Sequence, residues 1–119
     1  MATNLDPTYP GPDGLLPGNG ALVAAVATAS GRSPEVAGKP EPATVSLVRQ
    51  RFGDHGVMVG DRPSTDGALA RALGWPFALV VSDATVSSDE PADHGADWVA
   101  ASLAELVDRL VEAFGPGQR

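Results

Sequence analysis

Val57-Met58-Val59 is apolar at three consecutive positions and runs straight into Gly60-Asp61. An apolar run without alternation is expected of a strand covered on both faces, and such strands belong to parallel sheets flanked by helices. Parallel neighbours need crossover connections, and these are usually helical. The flanking sequence supplies them. A segment from about Glu41 to Phe52 places Val45, Val48 and Phe52 at three- and four-residue spacings, with Pro42 in the first turn, where a missing N–H costs little. After Asp61 comes a tight loop, Arg62-Pro63-Ser64, and then a predicted helix from Thr65 to Leu73, capped by Ser64 or Thr65 and stopped by Gly74. Phe77–Val81 is a second buried strand, and Asp97–Val99 a short third one. The expected class is α/β, a small parallel sheet flanked by helices.

The remaining segments fit around this frame. The first twenty residues are dense in Pro and Gly and read as turns and irregular chain. Ala21–Ser30 reads as a helix that starts at Asn19 or Gly20 and stops at Gly31. Arg32–Gly38 is a connector with room for one very short strand. Ser82–His94 reads as a polar loop. Ser102 and Glu105 form a capping box for a last helix, with an apolar stripe of Leu103, Leu106, Val107, Leu110, Val111 and Phe114, ended by Gly115-Pro116-Gly117. A sheet of two or three strands has an open edge unless something covers it.

Charge and composition narrow the function. Eight basic and 15 acidic residues give a net charge of −7. Arg49 and Arg51 are the nearest approach to a basic patch and read as a solvated helix face, so nucleic acid is not the expected partner. The chain has no Cys, which rules out disulfides, thiolate metal sites and a cysteine nucleophile. The start, Met-Ala-Thr-Asn-Leu-Asp, has no signal-peptide pattern, and the longest apolar run, Trp75–Val81, is too short to cross a membrane. A cytoplasmic location is the expectation.

Two short motifs carry chemistry. Asp61 follows a buried parallel strand at its carboxyl end, where sheets of this class bind ligands. A carboxylate there suits a hard cation such as magnesium. Asp66, in the first turn of the next helix, is placed to orient Asp61, a metal-bound water or Lys39. The other reading is that both carboxylates only shape a turn. Lys39, the only lysine, lies in Gly38-Lys39-Pro40 ahead of the helix leading to the Asp61 strand. It can neutralise a phosphoryl group, or be a surface lysine at a turn. Gly18-Asn19-Gly20 could receive an anion through backbone N–H groups, but reads better as a glycine-rich turn. His55 and His94 lack metal-spaced partners and read as surface residues. Trp75 and Trp98 read as packing residues, and Asp89, Glu90, Asp93 and Asp97 as a solvated acidic loop.

The motifs also recur together in a known family. Thr3-Asn4-Leu5-Asp6, Leu16-Pro17-Gly18-Asn19-Gly20-Ala21-Leu22, Gly38-Lys39-Pro40 and Val59-Gly60-Asp61-Arg62 with Thr65-Asp66 stand in the order and spacing of the haloacid dehalogenase superfamily. Over about the first 85 residues the chain resembles its capped sugar-phosphatase, p-nitrophenyl-phosphatase and phosphoglycolate-phosphatase-like branch. The resemblance implies a partial Rossmann-like sheet of that type, with residues 1–37 a remnant of the cap domain and 38–119 the C-terminal part of the core. It implies a magnesium-dependent phosphatase acting on a small phosphorylated molecule. Lys39 matches the phosphate-facing lysine, Asp61 the metal-ligating carboxylate and Asp66 its support. Asn4 and Asp6 match a cap motif on the substrate side.

The departures from the family pattern set further expectations. Relatives carry an Asp-x-Asp motif whose first Asp is phosphorylated, and these 119 residues contain none. The Ser or Thr motif ending the second core strand is absent too, as is most of the cap, and Ser82-Asp83 stands where relatives have Ser-Gly. The expectation is a truncated form with a weak, incomplete magnesium site, lacking the nucleophile and inactive alone. The alternative is a non-enzymatic interaction module or split-enzyme subunit that associates through its open sheet edge, with a second copy or with a complementary N-terminal chain.

Overall fold

The computed structural model describes residues 1–81 and 95–114, the side chains of 113 and 114 excepted. The expected polar loop at 82–94, Ser82-Asp83, His94 and the Gly115-Pro116-Gly117 stop lie outside the described residues. Two compact units are present, Met1–Leu47 and Val48–Arg119. The 37/38 junction of the family resemblance concerns correspondence to a longer relative, which compactness does not measure.

The first unit opens with a β-hairpin, β1 (Thr8–Gly11) antiparallel to β2 (Gly14–Pro17). This corrects the expectation of irregular chain over the first twenty residues. Pro12-Asp13 is the two-residue connection between the paired Gly11 and Gly14, and Gly14 sits at φ +128, open to glycine alone. Nearly every hairpin residue is exposed, so no inside–outside alternation marked the strands. Helix α1 (Asn19–Ser30) follows and ends on left-handed Gly31. The connector then pairs Val36 with Ala2 in a single parallel bridge, the short strand expected there. Helix α2 (Pro42–Phe52) comes next, and the boundary between the units falls inside it. Its expected apolar face is only partly covered. No α2 residue is buried, and Phe52 is 72% exposed.

The second unit is the expected parallel sheet. β3 (Met58–Gly60), β4 (Phe77–Val80) and β5 (Trp98–Ala100) lie in that order, with Met58 opposite Phe77 and Ala78 opposite Trp98. One face packs Phe77 and Leu79 with Ala70 of α3 (Ala68–Leu73), flanked by Met58 and Ala96. The other packs Ala78 and Ala100 with Leu106 of α4 (Leu103–Phe114), flanked by Val80, Trp98 and Leu110. Helices on both faces therefore bury Phe77, Ala78 and Leu79 of β4, with Val80 partly covered. β3 does not match the expectation of burial on both faces, because Val57 and Val59 are 37% and 38% exposed. Among the described strands β3 pairs only with β4, so it stands at the sheet edge, where coverage is thinner.

Hydrogen bonds at the ends fix the elements. Ser102 Oγ accepts the Glu105 N–H at 3.2 Å, the expected half of the capping box. Glu105 reaches back to the Ala101 N–H at 2.9 Å and pairs with Arg109 at 2.6 Å. Arg49 Nη2 donates to the carbonyl of Leu73 at 3.2 Å, at the α3 C-terminus, where a cation is favourable. Asp97 does not behave as part of a solvated acidic loop. Its carboxylate accepts the Phe77 N–H at 2.8 Å, and its own N–H donates to the Phe77 carbonyl at 2.8 Å. Trp75 packs as expected, its ring against Gly56 and its Nε1 donating to the Asp54 carbonyl at 2.8 Å. No helix among the described residues is long and apolar enough to cross a membrane.

The packing leads to a test. Leu106 is fully buried, whereas Leu103, three residues earlier on the same helix, is 59% exposed. Leu106→Ala is expected to cost about 2–5 kcal/mol by loss of burial and cavity formation. Leu103→Ala is expected to stay within about 0.5 kcal/mol. Urea unfolding followed by circular dichroism checks the contrast.

Candidate metal- and phosphate-binding site

The Asp61 loop is built on a close approach. β3 ends at Gly60, and the chain turns through Asp61 and Arg62 into Pro63–Gly67, a wide helical turn preceding α3. There the Arg62 carbonyl receives the Asp66 N–H at 2.7 Å and the Gly67 N–H at 3.4 Å, and the Pro63 carbonyl receives that of Ala68. The Gly67 and Ala68 bonds span five residues and widen the first turn expected from Thr65, and such turns recur at functional sites. The cap positions of the turn and of α3 fall at Arg62 and Gly67 rather than at Ser64 or Thr65.

The wide turn carries Asp66 back beneath the strand end. Asp66 is 3% exposed, and its Oδ2 accepts the N–H groups of Asp61 and Arg62, both at 3.2 Å. A buried carboxylate needs such donors, since an unsatisfied one is costly. The approach requires Gly60: a Cβ there would overlap the Asp66 carboxylate. Asp61 itself is half-buried at the carboxyl end of β3. Asp61 and Asp66 are thus brought together, with Asp66 holding the backbone from which the Asp61 carboxylate projects. Sequence reasoning named both acids and quoted Gly60 within Val59-Gly60-Asp61-Arg62, but gave the glycine no role of its own.

Among the described residues, no three His, Cys, Asp or Glu side chains are grouped so as to hold a metal ion. The donor set nevertheless suits part of a magnesium site. A hard cation takes carboxylate oxygen together with water and phosphate oxygens, and Asp61 offers one such ligand on a fixed loop.

The other named residues belong to the first unit. Lys39 is exposed and lies between Gly38, whose carbonyl accepts the Glu41 N–H at 2.8 Å, and Pro40, with a cis bond between Lys39 and Pro40. Thr44 Oγ1 donates to the Ala37 carbonyl at 2.6 Å. Asn4 Oδ1 accepts the Asp6 N–H at 3.2 Å, which makes Thr3–Asp6 a local turn rather than free chain. Gly18-Asn19-Gly20, weighed as an anion loop or a plain turn, packs against this segment. The Gly20 N–H donates to the Asp6 carbonyl at 2.8 Å, and Asn19 Nδ2 to the Asn4 carbonyl at 2.8 Å. The Gly18 and Gly20 N–H groups are thus used internally.

The lock on the Asp61 loop is open to direct test. Asp66→Ala is expected to lower stability by about 1–3 kcal/mol, because two N–H groups lose their acceptor. Gly60→Ala is expected to cost at least as much through the clash with Asp66. Thermal melts measure both losses, and amide spectra are expected to show the disturbance centred on residues 60–66.

Comparison with known proteins extends the picture. A family model described as HAD-hydrolase-like matches residues 36–106. The chain is 49% identical to the D-glycerol 3-phosphate phosphatase of Mycobacterium tuberculosis over 69% of its own length and 24% of the relative's. It is 33% identical to the dihydroxyacetone phosphatase of Corynebacterium glutamicum over 98% of its length and 44% of the relative's. The crystal structure of a glycerol phosphate phosphatase from M. tuberculosis in complex with magnesium superposes with a TM-score of 0.62 at 41% identity, covering 82% of this chain and 31% of that one. The chain therefore spans less than half the length of these relatives. The family match covers more than half of the chain and includes both the Gly38-Lys39-Pro40 segment and the Gly60–Asp66 loop, so the chain, similar over part of their length to phosphatases, belongs to the HAD-hydrolase-like family.

Proposed function

We propose that this chain supplies the metal-supporting and phosphate-facing part of a magnesium-dependent phosphatase of small phosphate monoesters. The observation that carries the reading is the lock of Asp66 under Gly60, which presents Asp61 on a fixed backbone at the carboxyl end of β3. Asp61 would hold magnesium, and Asp66 would support it. Bound magnesium supplies charge neutralisation on phosphoryl oxygens. Lys39 would balance the negative charge of the phosphoryl group. Asn4 and Asp6 would face the substrate. The relatives named for glycerol 3-phosphate and dihydroxyacetone favour a small polyol phosphate as substrate.

The 119 residues contain no Asp-x-Asp pair. A covalent aspartyl route needs its nucleophile, so in this reading these residues bind metal and phosphate but do not turn substrate over alone. The 119-residue protein is expected to release no phosphate from glycerol 3-phosphate or p-nitrophenyl phosphate with magnesium. Turnover of roughly 1 per second or more, abolished by Asp61→Asn, would overturn this. Calorimetric titration with magnesium is expected to show weak binding that Asp61→Ala removes. Identical isotherms would leave Asp61 a turn residue only.

A second, non-enzymatic reading is favoured by the exposed β3 edge and by α1, none of whose residues is buried. The chain would then act as an interaction module or split-enzyme subunit, covered at β3 by a second copy or a complementary N-terminal chain. For the second copy, sedimentation over a tenfold concentration range is expected to show association, with melting temperature rising alongside it. A monomer with an unchanged melt across the range counts against self-association.

A further inference from the structure

Thr3-Asn4-Leu5-Asp6 lies between two glycine-bearing walls of the first unit. On one side, Asn19 Nδ2 donates to the Asn4 carbonyl at 2.8 Å and to Thr3 Oγ1 at 3.4 Å. The N–H groups of Gly20 and Gly18 donate to the carbonyls of Asp6 and Pro7, both at 2.8 Å. A Cβ on Gly18 would strike the Asp6 carbonyl, and one on Gly20 the Leu5 carbonyl. On the other side, the Ala2 N–H donates to the Glu35 carbonyl at 2.7 Å, and the Ala37 N–H to the Ala2 carbonyl at 2.8 Å. A Cβ on Gly38 would strike the Thr3 carbonyl. The Thr3-Asn4 segment is therefore held by Asn19 through the Asn4 carbonyl and the Thr3 hydroxyl on one side, while its Thr3 carbonyl touches the backbone beside Lys39 on the other.

Asn19, on α1, acts in this clamp through its side chain. It is the first residue of α1, yet its amide reaches 15 residues back along the chain and does not cap its own helix. We propose that Asn19 is a positioning residue, setting the spacing between the Asn4–Asp6 turn and the Gly38-Lys39-Pro40 loop so that both address one phosphorylated ligand. The inference rests on the phosphate-facing reading of Lys39. Its mechanical part rests on the hydrogen bonds alone. The amide NH₂ is essential to it, because a carboxylate at position 19 has the same shape but no proton to donate and would oppose the Asn4 carbonyl.

Asn19→Asp in the full 119-residue chain tests the proposal. Amide spectra without ligand come first. In the wild type the Asn19 side-chain amide protons are expected to exchange slowly. In Asn19→Asp the changes are expected to run through residues 3–6 and on to Gly38 and Lys39. Changes that stop at residue 6, or a freely exchanging wild-type amide, would overturn the coupling. Titration with inorganic phosphate, followed at Gly38 and Lys39, comes second. The variant is expected to bind about tenfold more weakly. Leu106→Ala, destabilised in the other unit, is expected to keep wild-type affinity, which separates positioning from general loss of stability. Unchanged affinity in Asn19→Asp would overturn the functional role. A wild type that gives no response at Lys39 would overturn the phosphate reading itself, while the ligand-free spectra still decide the coupling.

Discussion

Asp66 lies beneath Gly60 with 3% of its surface exposed, and one of its oxygens receives the N–H groups of both Asp61 and Arg62. Much of the second unit is arranged around that contact. The wide turn at Pro63–Gly67 brings Asp66 back to the strand it has just left. Gly60 must lack a side chain to let it in. Leu69, Ala70 and Leu73 of α3 are buried, so the helix that follows the turn is itself anchored. A carboxylate out of water is costly unless its lone pairs are met. Here the donors come from the very loop that the proposed function uses, so folding and site geometry are set by the same bonds.

The Met1–Leu47 unit solves a different problem. It buries few side chains, Ala2 being the one apolar residue below a tenth exposed. Its order comes largely from backbone bonds threaded past glycines at 18, 20 and 38, each pressed against a carbonyl of residues 3–6. Such contacts give little hydrophobic stabilisation, but they tolerate little displacement, because a glycine against a carbonyl has no side chain that can move aside.

The sequence made the sheet legible because β4 is continuously apolar and β5 follows at crossover distance. α2 and α4 were legible from periodicity, α1 from its Ala and Val content and its Gly31 stop, and the Ser102–Glu105 bond is the cap read from those two letters. The hairpin was not, since its side chains face solvent on both sides and leave no period. The wide turn was not, because carbonyls of Arg62 and Pro63 make it, and backbone bonding of that span has no residue signature. Burial of β3 was overestimated because an apolar strand at a sheet edge spells the same as one in the middle. At the site, the types and spacing of Asp61 and Asp66 could be read. That Asp66 would turn an oxygen to the backbone of Asp61, or that Asn19 would hold the Asn4 carbonyl, depends on chain paths that spacing does not specify.

Asp97 bonds to Phe77 twice, through its carboxylate and through its own N–H, both at 2.8 Å. β5 has only three residues, so its ladder with β4 offers few rungs to tell one alignment from another. A slip of two residues would keep the same side chains on the same faces, so face alternation alone does not exclude it. It would disturb Asp97, whose acceptor would move out of reach of the Phe77 N–H. A side chain thus acts as an extra rung, and a short parallel strand obtains from one charged residue a unique alignment that its length cannot provide.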